Sequence, residues 1–221
     1  DTVSHLTRIE EELEQRFVNV KRFGAKGDGV TDDIEAFRQA YEATPPGGTL
    51  FIPQADEFYL WNPSNGHNGS NACLFIDKPI TIIADKKALI KFADFADGFL
   101  NGVIRRMIRI ESDNVTIDGL QIDCNTDNLY KVDSQGYKWW FAEEGDTDIL
   151  VHRTDIIDVV APSRNVRIIN SHLIQGHTQI RFSGYDFYTD IFTLDDSEVN
   201  YDCEVTNNTF ARARGNAVTQ S

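Results

Sequence analysis

The sequence predicts an all-β fold in which parallel strands wind into a β-helix behind a short helical segment and a strand–helix–strand cap. Three observations predict it. A nine-residue pattern occurs three times, at residues 114–122, 165–173 and 202–210. A strand, a capped helix and a second strand follow one another over residues 17–53. Residues 1–16 have the apolar spacing of an amphipathic helix.

The three copies of the pattern have apolar residues at the same positions, although their spacings are 51 and 37 residues. Matching strand cores at unequal spacing indicate successive coils whose loops differ in length. Gly119, Asn170 and Asn207 lie where the chain must bend between two strands, and we expect left-handed backbone there. In such a fold the inward residues of successive coils stack at the strand spacing and form the core.

The cap is predicted element by element. Val18 and Val20 alternate as in a strand, and a glycine-rich turn follows over residues 23–29. Residues 31–33 supply an N-cap and first-turn carboxylates for a helix. One face of that helix is apolar, formed by Ile34, Phe37, Ala40 and Tyr41. Residues 45–48 are Pro-Pro-Gly-Gly and end the helix, and residues 49–53 are predicted to form a strand.

This order of elements, with Gly27-Asp28-Gly29-Val30-Thr31-Asp32-Asp33 between the first strand and the helix, resembles the N-terminal cap of the pectate-lyase-like right-handed β-helix superfamily. The resemblance implies a right-handed parallel β-helix. The motif is specific for the superfamily and for no single activity. We therefore expect a helical neck over residues 1–16, a cap over 17–60 and coils over 61–221, with the β-helix truncated at its C-terminal end.

The alignment of coils extends beyond the nine-residue pattern. Residues 154–157 can be placed over 189–192, and residues 176–180 over 214–217. Two long insertions, at about 61–73 and 125–148, are predicted to be surface loops.

The neck carries Leu6, Ile9 and Leu13 at coiled-coil spacing. A short helix directly before a β-helix cap resembles the trimeric neck of phage tail spikes and appendages, which implies a homotrimer. The alternative is a single amphipathic helix packed on the body of the protein.

Composition excludes several classes of function. The net charge is −14, from 35 acidic and 21 basic residues, whereas nucleic-acid binders need a clustered basic face. No apolar run is long enough to cross a membrane, so we expect no membrane insertion. The three cysteines, Cys73, Cys124 and Cys203, lack the spacing of a zinc site or of a disulfide framework. The sequence indicates no metal and no cofactor.

The catalytic motif of polygalacturonases, which share this fold, is not reproduced. Residues 125–127 are Asn-Thr-Asp, but Gly176-His177 precedes the acidic pair 195–196, which is the reverse of the family's order. Glycoside hydrolysis commonly uses two carboxyl groups about 5–10 Å apart. Asp155 and Asp190 fall at matching positions of aligned segments and are the candidate pair.

His177 and Arg181 are the further catalytic candidates, and alternation that sends Ile180 inward sends Arg181 outward. Arg181 could then bind a phosphate, sulfate or carboxylate group of a substrate. The alternatives are structural. One of the two aspartates would be neutralised by a basic residue such as Arg106, and Arg181 would pair with Asp186.

Aromatic residues in the second insertion are the candidate carbohydrate-binding residues. Trp139 and Trp140, with Tyr130 and Tyr137, offer flat faces that can stack on sugar rings. The alternative is that these rings pack against the solenoid or a neighbouring subunit. Trp61, before the Asn- and Gly-rich loop, is a lesser candidate.

The resemblance to phage appendages implies a virion protein that binds and degrades a host cell-surface polymer, either a polysaccharide or teichoic acid. Its expected partners are further copies of itself, the host polymer, and other virion proteins contacted through a missing N-terminal region. Two alternatives remain open: a secreted polysaccharide lyase or glycoside hydrolase, and a non-catalytic glycan-binding adhesin.

Overall fold

The computed structural model describes residues 17–62, 72–94, 106–128, 131–132, 138–139, 155–176, 178–183, 200, 202–212 and 218–220. In this part of the chain three parallel sheets, A, B and C, are formed by strands that follow one another in rotation. The chain is a right-handed parallel β-helix, as predicted. The predicted helical neck, residues 1–16, lies outside the described residues.

Five coils are described, and each contributes one strand to each sheet in the order A, B, C. Strand β1 (Phe17–Asn19) precedes them at the edge of sheet A and pairs with the sheet A strand of the first coil. The first coil consists of β2 (Thr49–Ile52), β3 (Tyr59–Trp61) and β4 (Ala72–Ile76), and the second of β5 (Ile80–Ala84), β6 (Leu89–Phe92) and β7 (Arg106–Ile110). The third consists of β8 (Val115–Asp118), β9 (Gln121–Asp123) and β12 (Asp155–Val160), with the antiparallel pair β10 (Lys131–Val132) and β11 (Lys138–Trp139) inserted before β12. The fourth consists of β13 (Arg167–Ile169), β14 (His172–Ile174) and β15 (Thr178–Ser183), and the fifth of β16 (Glu204–Thr206), β17 (Thr209–Ala211) and β18 (Val218–Gln220).

The core consists of apolar ladders that run through the coils. Ile168 of β13 lies between Ile117 of β8 and Val205 of β16, and Leu173 of β14 lies between its counterparts in β9 and β17. Ile117 and Ile168 are completely buried. The spacings of 51 and 37 residues that the repeats predicted are therefore confirmed.

Two-residue corners join sheet A to sheet B in the last three coils. The predicted bend residues have left-handed backbone, with φ of 77° at Gly119, 54° at Asn170 and 56° at Asn207. The side-chain amide of Asn170 also donates a hydrogen bond to Asp118 of the preceding coil, at 2.7 Å. Short asparagine corners thus hold the register of sheets A and B from one coil to the next.

Helix α1 (Ile34–Ala43) covers the N-terminal end of the β-helix. Its predicted apolar face is buried, and the ring of Phe37 contacts Tyr59 and Trp61 edge-on, each with centroids 5.2 Å apart. The helix ends at Ala43, before the Pro-Pro-Gly-Gly segment, as predicted. Trp61 is completely buried in this core. Its assignment as a sugar-binding candidate is wrong, because the cap helix needs a large apolar partner at this position.

Two details of the cap differ from the prediction. Strand β1 ends at Asn19, and Val20–Phe23 form a 3-10 turn rather than an extension of the strand. Asp33 occupies the N-cap position, yet its carboxylate accepts hydrogen bonds from the backbone N–H groups of Lys26 and Gly27, at 2.7 and 3.1 Å. Asp33 therefore fixes the glycine turn instead of the helix end.

Candidate functional site

The candidate site lies on sheet C, where two acidic residues of β12 stand between basic residues of the flanking strands. In the strand register Asp155 lies opposite Arg106 of β7, and Asp158 lies opposite Arg109 of β7 and Arg181 of β15. Three successive coils therefore contribute charged side chains to one region of the sheet. This arrangement follows from the parallel register, which places residues distant in sequence about one strand spacing apart.

Ion pairs connect the three strands. Arg181 Nη1 lies 3.4 Å from Asp155 Oδ2, and Arg106 Nε donates to Asp158 Oδ2. Arg109 pairs with Glu111 at the end of its own strand. The acids are much more buried than the bases: the exposed fraction of the side chain is 4% for Asp155 and 0% for Asp158, against 24% for Arg181.

The surroundings of Asp155 change its proton affinity. Burial raises the pKa of Asp155 to about 6, the charge of Asp158 acts in the same direction, and Arg181 and Arg106 act in the opposite direction. A carboxyl group with a pKa near neutrality can serve as a proton donor or acceptor close to physiological pH. Asp155 thus has the chemical character of an acid–base group, beside an arginine that can hold an anion.

The predicted alignment of Asp155 with Asp190 on adjacent strands is wrong, whereas the catalytic pairing of the two residues stays a prediction. Both neighbours of β12 in sheet C are known: β7 on one side and β15 on the other, with Thr178 opposite Asp155. Residues 154–157 and 189–192 share a local pattern, but the strand that follows β12 in the sheet begins at Thr178. Asp190 itself lies outside the described residues, as does His177.

Arg181 behaves as the alternation predicted, since Ile180 is buried and Arg181 is partly exposed. Its described partner is Asp155; the pairing with Asp186 stays a prediction, because Asp186 lies outside the described residues. Arg106 does neutralise an aspartate, but this is Asp158 and not one of the two candidates.

The predicted placement of residues 176–180 over 214–217 agrees with the register of β15 and β18.

Asp158 is the residue that the sequence reasoning missed. It is completely buried and belongs to the same strand as Asp155. A signal was present, because Arg109, Asp158 and Arg181 fall at matching positions once β7, β12 and β15 are in register. Finding it required the register of sheet C, which the long insertions hide in the sequence.

The aromatic insertion is only partly described. Its antiparallel pair has Lys131 opposite Trp139 and Val132 opposite Lys138. Tyr130, Tyr137 and Trp140 lie outside the described residues, so carbohydrate binding by this group of aromatic residues stays a prediction.

Asn125-Thr126-Asp127 forms a structural corner. Asn125 Nδ2 donates hydrogen bonds to the Phe92 carbonyl and to Asp94, at 2.9 and 2.7 Å, and Thr126 Oγ1 donates to the Gln175 carbonyl at 2.9 Å. These contacts join three coils and support the interpretation that the match to the polygalacturonase motif is a coincidence.

Two negative findings apply to the described ranges. They contain no group of three or more His, Cys, Asp and Glu side chains placed to hold a metal ion. Within the same ranges, no helix has the length and apolar character that a membrane crossing requires.

The cap and the coils are similar in sequence to mannuronan C5-epimerases and to phage pre-neck appendage proteins. The family described as "Rhamnogalacturonase A/epimerase, pectate lyase-like" matches residues 17–55. Mannuronan C5-epimerase AlgE5 of Azotobacter vinelandii is 33% identical over 144 residues, which cover 62% of this chain and 14% of the epimerase. The pre-neck appendage protein of Bacillus phage phi29 is 29% identical over 126 residues, 55% of this chain and 13% of that protein.

Among solved structures, the pre-mature gene product 12 of bacteriophage phi29 has a TM-score of 0.55 with 20% identity. The similarity covers 94% of this chain and 24% of the phage protein. At this level of identity the structural match concerns the fold. The chain thus spans a small part of the curated relatives that it matches.

Proposed function

We propose that this chain, which belongs to the pectate-lyase-like superfamily of right-handed β-helix proteins, is part of a phage virion appendage that binds and shortens a host cell-surface polymer. Two groups of relatives support the proposal. Pre-neck appendage proteins of Bacillus phages PZA and phi29 support a place in the virion. Mannuronan C5-epimerases and an alginate lyase support a polysaccharide as the substrate class.

The observation that carries the chemical part of the proposal is the Asp155–Arg181 pair. A buried carboxyl group with its pKa raised to about 6 stands beside a partly exposed guanidinium group. Perturbed carboxyl groups of this kind are characteristic of acid–base sites.

In the proposed hydrolysis Asp155 donates a proton to the oxygen of the bond that is broken, while water adds to the other fragment and gives up a proton to a base. Arg181 holds an anionic group of the polymer. Arginine suits that role because its planar fork binds carboxylate and phosphate groups with two parallel hydrogen bonds. His177, directly before β15, stays a candidate for the complementary proton transfer.

The test is the change in size of a purified host polymer, followed by size-exclusion chromatography with the full chain. We expect the wild-type protein to shorten teichoic acid or an acidic polysaccharide, and Asp155→Asn to lose at least about 100-fold in rate, the range typical of general acid–base catalysis. Glu204→Gln is the matched control, because Glu204 also pairs with an arginine of a neighbouring coil but lies on sheet A.

Equal rates for Asp155→Asn and the wild-type protein would overturn the assignment of Asp155. A polymer that is bound by the full chain but never shortened would instead identify the protein as an adhesin.

The aromatic insertion is proposed as the polymer-binding surface. Two adjacent tryptophans in a polar segment are costly to expose unless a ligand stacks on them. Replacing Trp139 and Trp140 with Ala should weaken adsorption to host cells or purified wall polymer while leaving the melting temperature nearly unchanged. A large loss of stability with unaltered binding would contradict this role and place the rings in the protein core.

The oligomeric state is proposed to be a parallel homotrimer, on the heptad-like spacing of Leu6, Ile9 and Leu13. Light scattering at micromolar concentration should then give about three times the chain mass of 25.0 kDa. A monomer that persists at high concentration would contradict the proposal.

A further inference from the structure

Asp158 has no role in the reaction proposed above, yet it is the most buried charged residue of the candidate site. Its side chain has no exposed surface and receives a hydrogen bond from Arg106 of the preceding coil. Asp155, three residues earlier on the same strand, pairs with Arg181 of the following coil. The two acids of β12 are therefore bound to arginines on opposite sides of their strand.

We propose that Asp158, held in place by Arg106, is a positioning residue that decides whether the Asp155 carboxyl group carries a proton or forms an ion pair with Arg181. The proposal rests on the proposed role of Asp155. It adds a second acid, absent from the sequence-based candidates, whose fixed negative charge acts on the first.

The geometry gives the direction of each effect. A buried negative charge beside a carboxyl group favours the protonated form of that group, because two like charges in a poorly solvated site repel each other. Arg106 and Arg181 favour the ionised form. Burial raises the pKa of Asp155, the negative charge of Asp158 raises it further, and Arg181 and Arg106 lower it.

Charged and titratable side chains surround Asp155 on each described element that packs against it. Asp158 belongs to its own strand, Arg106 to β7 and Arg181 to β15, and the Cys124 thiol follows β9. Burial raises the pKa of Cys124 well above its ordinary value, so this thiol stays neutral and contributes no charge near pH 7. Asp158 is thus the described group that opposes the two arginines.

The experiment is a pH titration of the Asp155 carboxyl carbon by NMR, with aspartate labelled by carbon-13 and the full chain in solution. Asp155→Asn identifies the resonance, because that signal disappears. In the wild-type protein we expect a titration midpoint at about pH 6. In Asp158→Asn, which keeps the size of the side chain, we expect a midpoint lower by about one pH unit or more.

A double variant controls for the effect that Arg106, once it has lost its carboxylate partner, would have on the titration midpoint of Asp155. Asp158→Asn leaves Arg106 without its carboxylate, whereas Asp158→Asn combined with Arg106→Gln removes both charges. Because Asp158 and Arg106 act on the pKa of Asp155 in opposite directions, the midpoint of the double variant should lie above that of the single variant. Glu204→Gln, on sheet A, should leave the midpoint unchanged.

An unchanged Asp155 midpoint in Asp158→Asn and in the double variant would overturn the inference, whatever the polymer assay shows. A shifted midpoint together with a wild-type protein that shortens no polymer would sustain the inference and refute the proposed catalysis. If both proposals hold, the pH dependence of polymer shortening should move to lower pH in Asp158→Asn, by the same amount as the titration midpoint.

Discussion

Sheets A and C both carry an ion pair between an arginine and an acid of adjacent coils, but the two pairs differ in burial. On sheet A, Arg167 Nε lies 2.7 Å from Glu204 Oε2, and the side chains are 44% and 42% exposed. On sheet C, the side chains of Arg106 and Asp158 are 19% and 0% exposed. The same chemistry is therefore a solvated surface contact on one sheet and a buried charge cluster on the other.

The two sheets also differ in how the chain connects their strands. Two residues join the strands of sheet A to those of sheet B in the last three coils, for example Gly119 and Leu120 between β8 and β9. The strands of sheet C follow connections of very different length, from residues 175–177 before β15 to residues 124–154 before β12. Insertions are tolerated at these connections, and functional residues of β-helices can accumulate there.

The largest loss of stability is expected for a substitution in the apolar core of the β-helix. Ile168→Asp places an unpaired charge between Ile117 and Val205 and should destabilise the protein by about 5 kcal/mol, near the upper end of single substitutions. Thermal and urea unfolding would measure it. Arg167→Ala, one residue earlier on the outer face, is the control and should hardly change the melting temperature. Two equally mild substitutions would contradict the strand register.

The next largest loss of stability is expected when the buried ion pair of sheet C is broken. Arg106→Ala leaves Asp158 buried without its arginine, and removal of one partner of such a pair costs about 3–4 kcal/mol. The same unfolding measurements apply. Adding Asp158→Asn to Arg106→Ala should restore part of the lost stability, because the buried charge that lost Arg106 is then gone. A mild effect of Arg106→Ala would contradict a stabilising role of the Arg106–Asp158 pair.

The contrast between the sheets also explains what the sequence could predict. The register of sheets A and B was predictable because short corners with Asn170 and Asn207 keep the strands of each coil at fixed spacing. On sheet C, insertions of different length separate the strands, and the local likeness of residues 154–157 and 189–192 led to a wrong strand alignment for Asp155. Arg181 was found by alternation alone, whereas Asp158 required the three-dimensional pairing of β7, β12 and β15.

A smaller effect concerns the pH dependence of stability. The pKa of Asp155 is raised from 3.8 to about 6 in the folded protein, so protonation favours folding. The corresponding stability is fully present below the ordinary pKa of the group and is lost as the pH rises through about 6. The loss should amount to about 3 kcal/mol by neutral pH, because a tenfold change in proton affinity corresponds to about 1.4 kcal/mol of free energy.

The measurement is the free energy of unfolding of the wild-type protein relative to Asp155→Asn at several pH values. The difference should change between about pH 4 and pH 7 in favour of the variant. Asp33, whose pKa burial also raises, titrates in both proteins and cancels in the comparison. A difference that is constant over this range would mean that Asp155 is solvated like an ordinary surface carboxylate.

The smallest effect is expected for the surface pair of sheet A. Hydrogen bonds from Arg167 and Thr206 lower the pKa of Glu204, but the group is solvated and its attraction to Arg167 is screened by salt. In a double-mutant cycle of Arg167→Ala and Glu204→Gln, the coupling between the residues should be small and should vanish in about 1 M NaCl. The cycle of Arg106→Ala and Asp158→Asn should keep most of its coupling at the same salt concentration, because a Debye screening atmosphere does not enter a buried site. Equal salt dependence of the two couplings would contradict the difference in burial on which the candidate site depends.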